Sequence, residues 1–187
     1  ILPCLLELIG PTVRLDHDYS IFMSKGDRKG GLHGGEDGGP NGNEGDHWYR
    51  YRDGVIRTGL CVVSFLLTDA AQGDGGFSCV PGSHKSNFLG NIPADVRSYE
   101  VQPHYVVQPA AKAGDALFFT EALVHGTNPW QADHERRALL FKYRPGHSAW
   151  NGGYPDAEDY GDLTERQRRM LLPPSIGKRP TVSATAE

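Results

Sequence analysis

Three consecutive pieces constrain this chain more than any others: Gly114-Asp115-Ala116-Leu117-Phe118-Phe119, Val124-His125-Gly126-Thr127 and Arg136-Arg137-Ala138-Leu139-Leu140-Phe141. Short apolar runs broken by glycine and polar residues read as strands separated by turns. His125 ends one apolar run, and Arg136 opens the next eleven residues later. Two antiparallel strands joined by a short loop would bring both side chains to the same mouth of a barrel. An imidazole suits a first-row metal, and a guanidinium fork suits a carboxylate.

Elsewhere the pattern is similar. Thr12 to Met23 alternates well enough to be a strand with one functional face, and Trp48 to Tyr51 reads as a short aromatic strand. Thr58 to Leu67 is the strongest strand and reads as buried on both faces. Phe77 to Val80 follows a glycine turn and ends at Pro81-Gly82, and Tyr99 to Gln108 is expected to be a further strand. Between them, Lys25 to Asp46 is a glycine-rich loop carrying Leu32-His33-Gly34-Gly35-Glu36-Asp37, expected to act as a mobile lid. Ile1 to Ile9 is apolar and fits either a helix end or a buried strand. Thr164 is placed to cap a basic helix within 163–172 that stops at Pro173-Pro174, and 181–187 is expected to fray. The 24 glycines and 13 prolines favour turns between short strands over long helices. The expected fold is therefore all-β, a single sandwich or barrel domain over 1–187 with peripheral helices. Because the chain opens Ile1-Leu2-Pro3 without methionine, an N-terminal portion is expected to be missing.

Several function classes are disfavoured. A formal charge of -4 gives no basic footprint, so nucleic acid is not an expected partner. No apolar run approaches the ~18 residues of a membrane helix. Cys4, Cys61 and Cys79 are few and lack CxxC spacing, which fits a reduced, cytoplasmic protein. The glycine-rich loop lacks the Gly-Lys-Ser/Thr ending of a phosphate cradle. Oligomeric state is not legible.

Taken in order, Pro81-Gly82-Ser83-His84-Lys85, Gly114 to Phe119, His125-Gly126-Thr127 and Arg136-Arg137 resemble the phytanoyl-CoA dioxygenase family, over roughly Gly10 to Tyr143. The resemblance implies a double-stranded β-helix (jelly-roll, cupin-like) that uses Fe(II) and 2-oxoglutarate to oxidise a small organic substrate, most simply by hydroxylation. That family holds its metal with a His-x-Asp pair and a distal histidine, and binds the co-substrate with an arginine eleven residues further on. Carried over, His125 is the distal ligand and Arg136 the co-substrate arginine. Thr127 takes the place of a hydroxyl supporting the co-substrate carboxylate, and Tyr19 and Ser64 fall near further co-substrate contacts. Arg137 should point to the opposite face of its strand.

His33 would be the first ligand, and here the chain departs from the pattern. Gly35 stands where the carboxylate is expected. Three readings stay open. Glu36 or Asp37 supplies the carboxylate through a glycine-permitted backbone turn. Alternatively, an external anion such as chloride fills the position, as in halogenases on the same scaffold. In the third reading the site is degenerate and the jelly-roll binds a small ligand without catalysis. Asp16-His17-Asp18 and His47 are weaker substitutes, with structural roles expected for the former, and His84 reads as a loop-fixing or substrate-side residue. His104, His134 and His147 have no partner pattern. Trp48, Tyr49, Tyr51, Trp130 and Trp150 fit a pocket lining or core packing equally well.

Overall fold

Cys61–Leu66 is apolar at almost every position and is buried along nearly its whole length, the pattern of a strand covered on both faces. In the computed structural model, which describes residues 1–34, 48–86 and 92–184, this strand is β4 of eight. The others are β1 (Arg14–Met23), β2 (Tyr49–Arg52), β3 (Val55–Thr58), β5 (Gly76–Cys79), β6 (Ala116–Thr120), β7 (His125–Asn128) and β8 (Arg136–Arg144). The helices are short: α1 (Leu2–Leu8), α2 (Ala94–Arg97) and α3 (Glu165–Leu171). No helix among the described residues is long and apolar enough to cross a membrane.

One antiparallel sheet has the order β1-β8-β4-β6; β5 pairs with β7, and β2 with β3. Register partners in an antiparallel pair share a face. Tyr19, Leu140 and Ser64 therefore lie on one row of the inner face, with Met23 beside Arg136. Val62, Phe119, Ala138 and Leu140 pack there against Phe77, which joins β5–β7 to the larger sheet. The Phe77 and Phe119 rings lie 4.7 Å apart. On the outer face Leu5 and Ile9 pack on Val13, Cys61 and Val182. The open choice at Ile1 to Ile9 is thus resolved as helix α1, with a proline in its first turn.

The expected pairing of the His125 and Arg136 strands is corrected. His125 begins β7, which pairs with β5, whereas Arg136 begins β8, which pairs with β1 and β4. The two residues belong to facing sheets, and the segment between them crosses from one to the other. Trp130 anchors that crossover: it is fully buried against Met23, Leu66 and Ala70, and its indole N–H donates to the His134 carbonyl at 2.6 Å. The expected strand from Tyr99 to Gln108 is also corrected. Only an isolated bridge from Val107 to Cys79 forms, because Pro103 cannot donate to a ladder and instead accepts from the Val106 N–H in a turn. Nor is the start of the C-terminal tail frayed, since Val182 is buried and its N–H donates to the Pro11 carbonyl at 2.7 Å; residues 185–187 lie outside the described residues. α3 carries a reciprocal capping box between Thr164 and Gln167.

Asp16 has a structural role. Its Oδ1 accepts from Arg14 Nη1 and the Trp150 N–H, both at 2.9 Å. Its Oδ2 takes His17 Nδ1 at 2.7 Å and the Asn151 N–H at 3.1 Å, and Arg144 lies 3.7 Å from Oδ1. Burial raises the carboxyl pKa, but the hydrogen bonds from His17, Trp150 and Asn151 and the Arg144 charge outweigh it, leaving a value of about 2. A depressed carboxylate pKa contributes stability above the unfolded value, near 4, that is lost as pH falls toward 2, roughly 2 kcal/mol in all. Asp16→Asn should lower stability by ~3–5 kcal/mol by leaving Arg14 and Arg144 uncompensated. Urea titrations between pH 7 and 2 check both points: the variant should also lose this part of the acid sensitivity, and an unchanged midpoint at neutral pH would contradict the assignment.

Candidate metal centre and anion pocket

The site begins with a loop docked onto a strand. The His33 N–H donates to the His125 carbonyl and the His125 N–H to the His33 carbonyl, both at 2.8 Å. This reciprocal bridge sets the two imidazoles 4.4 Å apart, centroid to centroid. Leu32 secures the loop from below, packing with Val96 and Val124. Glycine is required at two contacts. Gly34 has φ +119, and a Cβ there would lie 2.1 Å from the Leu123 carbonyl oxygen. A Cβ on Gly126 would lie 2.3 Å from the Tyr99 hydroxyl and 2.7 Å from the Gly31 carbonyl. The lid expected across this loop is therefore corrected for residues 30–34, which are held against β7; 35–47 lie outside the described residues.

Hydrogen bonds fix the state of both rings. His33 Nδ1 lies 2.8 Å from the Gly31 carbonyl and His125 Nδ1 2.7 Å from the Leu123 carbonyl. A carbonyl only accepts, so each Nδ1 carries a proton and Nε2 is the ring atom left for a ligand. Burial holds the His125 pKa down to about 4, with the Glu121 charge opposing and His33 adding to the effect, so this ring is neutral at pH 7. Its neighbour Phe119 lies 4.6 Å away, ring to ring.

A carboxylate unforeseen from the sequence faces this pair. Glu121 is buried just past β6; its Oε2 is 3.7 Å from His125 Nε2, and its Oε1 accepts from Lys142 Nζ at 2.6 Å. One donor atom from each of His33, Glu121 and His125 lies within 4.8 Å of the others. Two imidazoles and a carboxylate form the donor set of non-haem iron sites, so these residues fit such an ion. The available signal was a charged residue directly after the Leu117-Phe118-Phe119-Thr120 strand run, four positions before His125. Glu36 and Asp37 lie outside the described residues.

Arg136 occupies the inner face of β8 and is only 6% exposed. Its Nη1 donates to the Met23 sulfur at 3.5 Å, and no carboxylate among the described residues pairs with it. Gly76 makes room for it: a Cβ there would lie 2.9 Å from Arg136 Nε. Burial lowers the guanidinium pKa, and a desolvated cation with a thioether partner calls for an anion. Arg137 points outward to Glu135, as strand alternation requires.

Thr127 and His33 line a cavity of about 510 Å³ together with Tyr19, Ile21 and Lys29. Tyr19 is partly exposed there, its ring 5.5 Å from the Lys142 ammonium. Ser64 is buried on the same inner row but does not line this cavity. A second cavity of about 400 Å³ is lined by Phe119, Leu123 and Cys79, with Tyr49 and His84 among its further walls. His84 meets Tyr49 edge-on at 5.2 Å, which gives it a place in that wall and not at the histidine pair.

Residues 40–138, just over half the chain, match the profile of phytanoyl-CoA dioxygenase (PhyH), and the chain belongs to that family. Among solved structures, HygX from Streptomyces hygroscopicus with nickel and 2-oxoglutarate bound superposes with a TM-score of 0.64 at 24% identity, covering 80% of this chain and 62% of HygX. The iron-bound form of HygX gives 0.65 at 23% identity, covering 80% and 65%. A nickel complex of the non-heme monooxygenase ThoJ gives 0.52 at 19%, covering 82% and 53%. At these identities the likeness is one of fold, and the chain spans less than two thirds of HygX. No curated protein matches the sequence significantly.

Gly34→Ala tests the docking. Its Cβ collides with backbone and cannot be accommodated by a rotamer change. The variant should lose Ni(II) affinity by about 10–100-fold, as when support of a ligand is removed, while keeping its far-ultraviolet circular dichroism. Calorimetry showing unchanged Ni(II) affinity would rule out the bridge as the element that positions His33.

Proposed function

We propose that this chain is the core of an Fe(II)- and 2-oxoglutarate-dependent oxygenase that hydroxylates a small organic substrate. The observation that carries the reading is the placement of two imidazoles, each tethered through Nδ1 with Nε2 left for a ligand, and a buried arginine without a carboxylate partner among the described residues around one interior. The alternation of β4 to β8 between the two sheets supports a double-stranded β-helix, in which successive strands switch sheets. Family membership and the iron and 2-oxoglutarate carried by the HygX crystals point the same way. HygX has also been crystallised with hygromycin B, which supports a small-molecule substrate here.

In this reading His33 and His125 hold iron through Nε2. Arg136 binds the far carboxylate of 2-oxoglutarate with its guanidinium fork, where burial strengthens each charge-assisted bond. The Thr127 hydroxyl, two residues after His125 on the same face, steadies the co-substrate, and Tyr19 borders the same cavity. Ser64 contributes from the inner row nearby. When bound, iron and 2-oxoglutarate supply the oxygen activation that oxidises an unactivated C–H bond and leaves succinate and CO2. The chain itself supplies orientation and a water-poor interior, its two carbonyl-locked imidazoles needing no reorganisation to accept the ion.

Purified protein given Fe(II), 2-oxoglutarate and oxygen should release succinate, and His125→Ala should abolish that release. Arg136→Lys keeps the charge but loses the fork, so 2-oxoglutarate binding should weaken by about 10–100-fold while Ni(II) affinity is retained. Absence of binding to both the metal and 2-oxoglutarate in the unmutated protein would overturn the reading.

A further inference from the structure

Gly35, two residues after His33, has no side chain with which to ligate a cation. We infer that Glu121, at the turn between β6 and β7, supplies the carboxylate that completes the metal site with His33 and His125. The inference rests on the reading that a metal ion binds these histidines. It departs from the His-x-Asp pattern because the acid comes from the distal-histidine side of the site and not from the His33 loop.

The turn itself sets the geometry. The Glu121 N–H donates to the Leu60 carbonyl and the Leu123 N–H to the Thr120 carbonyl, both at 2.9 Å. This tight reversal folds Glu121 back toward His125, four residues on, and brings Oε2 to 3.7 Å from Nε2. Because His125 Nδ1–H is committed to Leu123, Nε2 is the ring atom turned to the carboxylate. A cation placed between a carboxylate oxygen and an imidazole nitrogen in a buried setting is attracted by both. His33 Nε2, fixed in the same tautomer by Gly31, provides the third donor.

Lys142 gives this arrangement its direction. Its ammonium engages Oε1 at 2.6 Å from the inner face of β8, orienting the carboxylate so that Oε2 faces the histidines. The ion pair also neutralises the buried glutamate, which explains how a carboxylate is tolerated at only 2% exposure. Such an outer partner aims a metal-bound carboxylate without competing for the ion. With a protein carboxylate on the metal, no external halide is needed to complete the donor set, so hydroxylation is favoured over halogenation at this His-x-Gly site.

Calorimetric titration with Ni(II) alone, on the full chain, tests the assignment. Glu121→Gln, which preserves volume and can still accept from Lys142, should weaken Ni(II) binding at least 10-fold, and Glu36→Ala and Asp37→Ala should bind as the unmutated protein does. The ligand-field absorption of bound Co(II) should change in Glu121→Gln, since an oxygen donor is removed. Lys142→Met separates ligation from ion pairing: added Ni(II) should raise its melting temperature strongly and that of Glu121→Gln weakly. Equal Ni(II) affinity in Glu121→Gln and the unmutated protein, or a loss of metal in Lys142→Met matching that in Glu121→Gln, overturns the assignment. Loss of affinity in Glu36→Ala or Asp37→Ala alone overturns it in favour of the loop acids. If the unmutated protein fails to bind Ni(II), or His125→Ala binds as well as it does, the oxygenase reading fails with it.

Discussion

The two backbone hydrogen bonds between His33 and His125 hold together everything that resembles a functional site. They are the point at which a loop far upstream in sequence meets the first residue of β7. Glycines at 34 and 126 allow the backbones to approach this closely, and Leu32 anchors the loop beneath. Carbonyls at Gly31 and Leu123 then set both rings in one tautomer. The presentation of the two Nε2 atoms is thus a by-product of backbone geometry, set by carbonyl contacts and not by other side chains.

Burial acts differently at the three charged clusters. Around Asp16, both carboxylate oxygens are satisfied by arginine, histidine and backbone N–H groups, and the result is structural. At Glu121 one oxygen is paired with Lys142 while the other faces His125 Nε2. At Arg136 the buried cation has a sulfur neighbour and no acid among the described residues. Desolvation penalises each charge, so the degree of compensation separates a cluster that stabilises the fold from sites suited to an incoming cation and anion.

Membership of the PhyH family accounts for the middle of the chain, including His125 and Arg136 within residues 40–138. His33 lies before that match, and the acid expected next to it is replaced by Gly35. The Glu121 position shows how such a departure can be compatible with the same donor chemistry. A carboxylate can reach an ion from either strand that borders it, provided its backbone brings it close; here the β6–β7 turn brings Glu121 close to both histidines.

Much was legible from local pattern alone. The strands with strong alternation or continuous apolar runs, the capped C-terminal helix, the His125–Arg136 spacing and the outward direction of Arg137 all follow from periodicity and residue chemistry. Prolines hid the broken segment around Pro103, and Val182 became part of the core through contacts with residues near the other end of the chain. Sequence by itself determined most of the strand-forming segments, because these depend on neighbours a few positions away, and through the family resemblance it pointed to His33 and His125 as candidate donors. Only the tertiary structure decided that His125 and Arg136 sit on facing sheets and that Glu121 joins the histidines. Those relations depend on sheet pairing and on a turn that folds back over the site, and no local spacing encodes them.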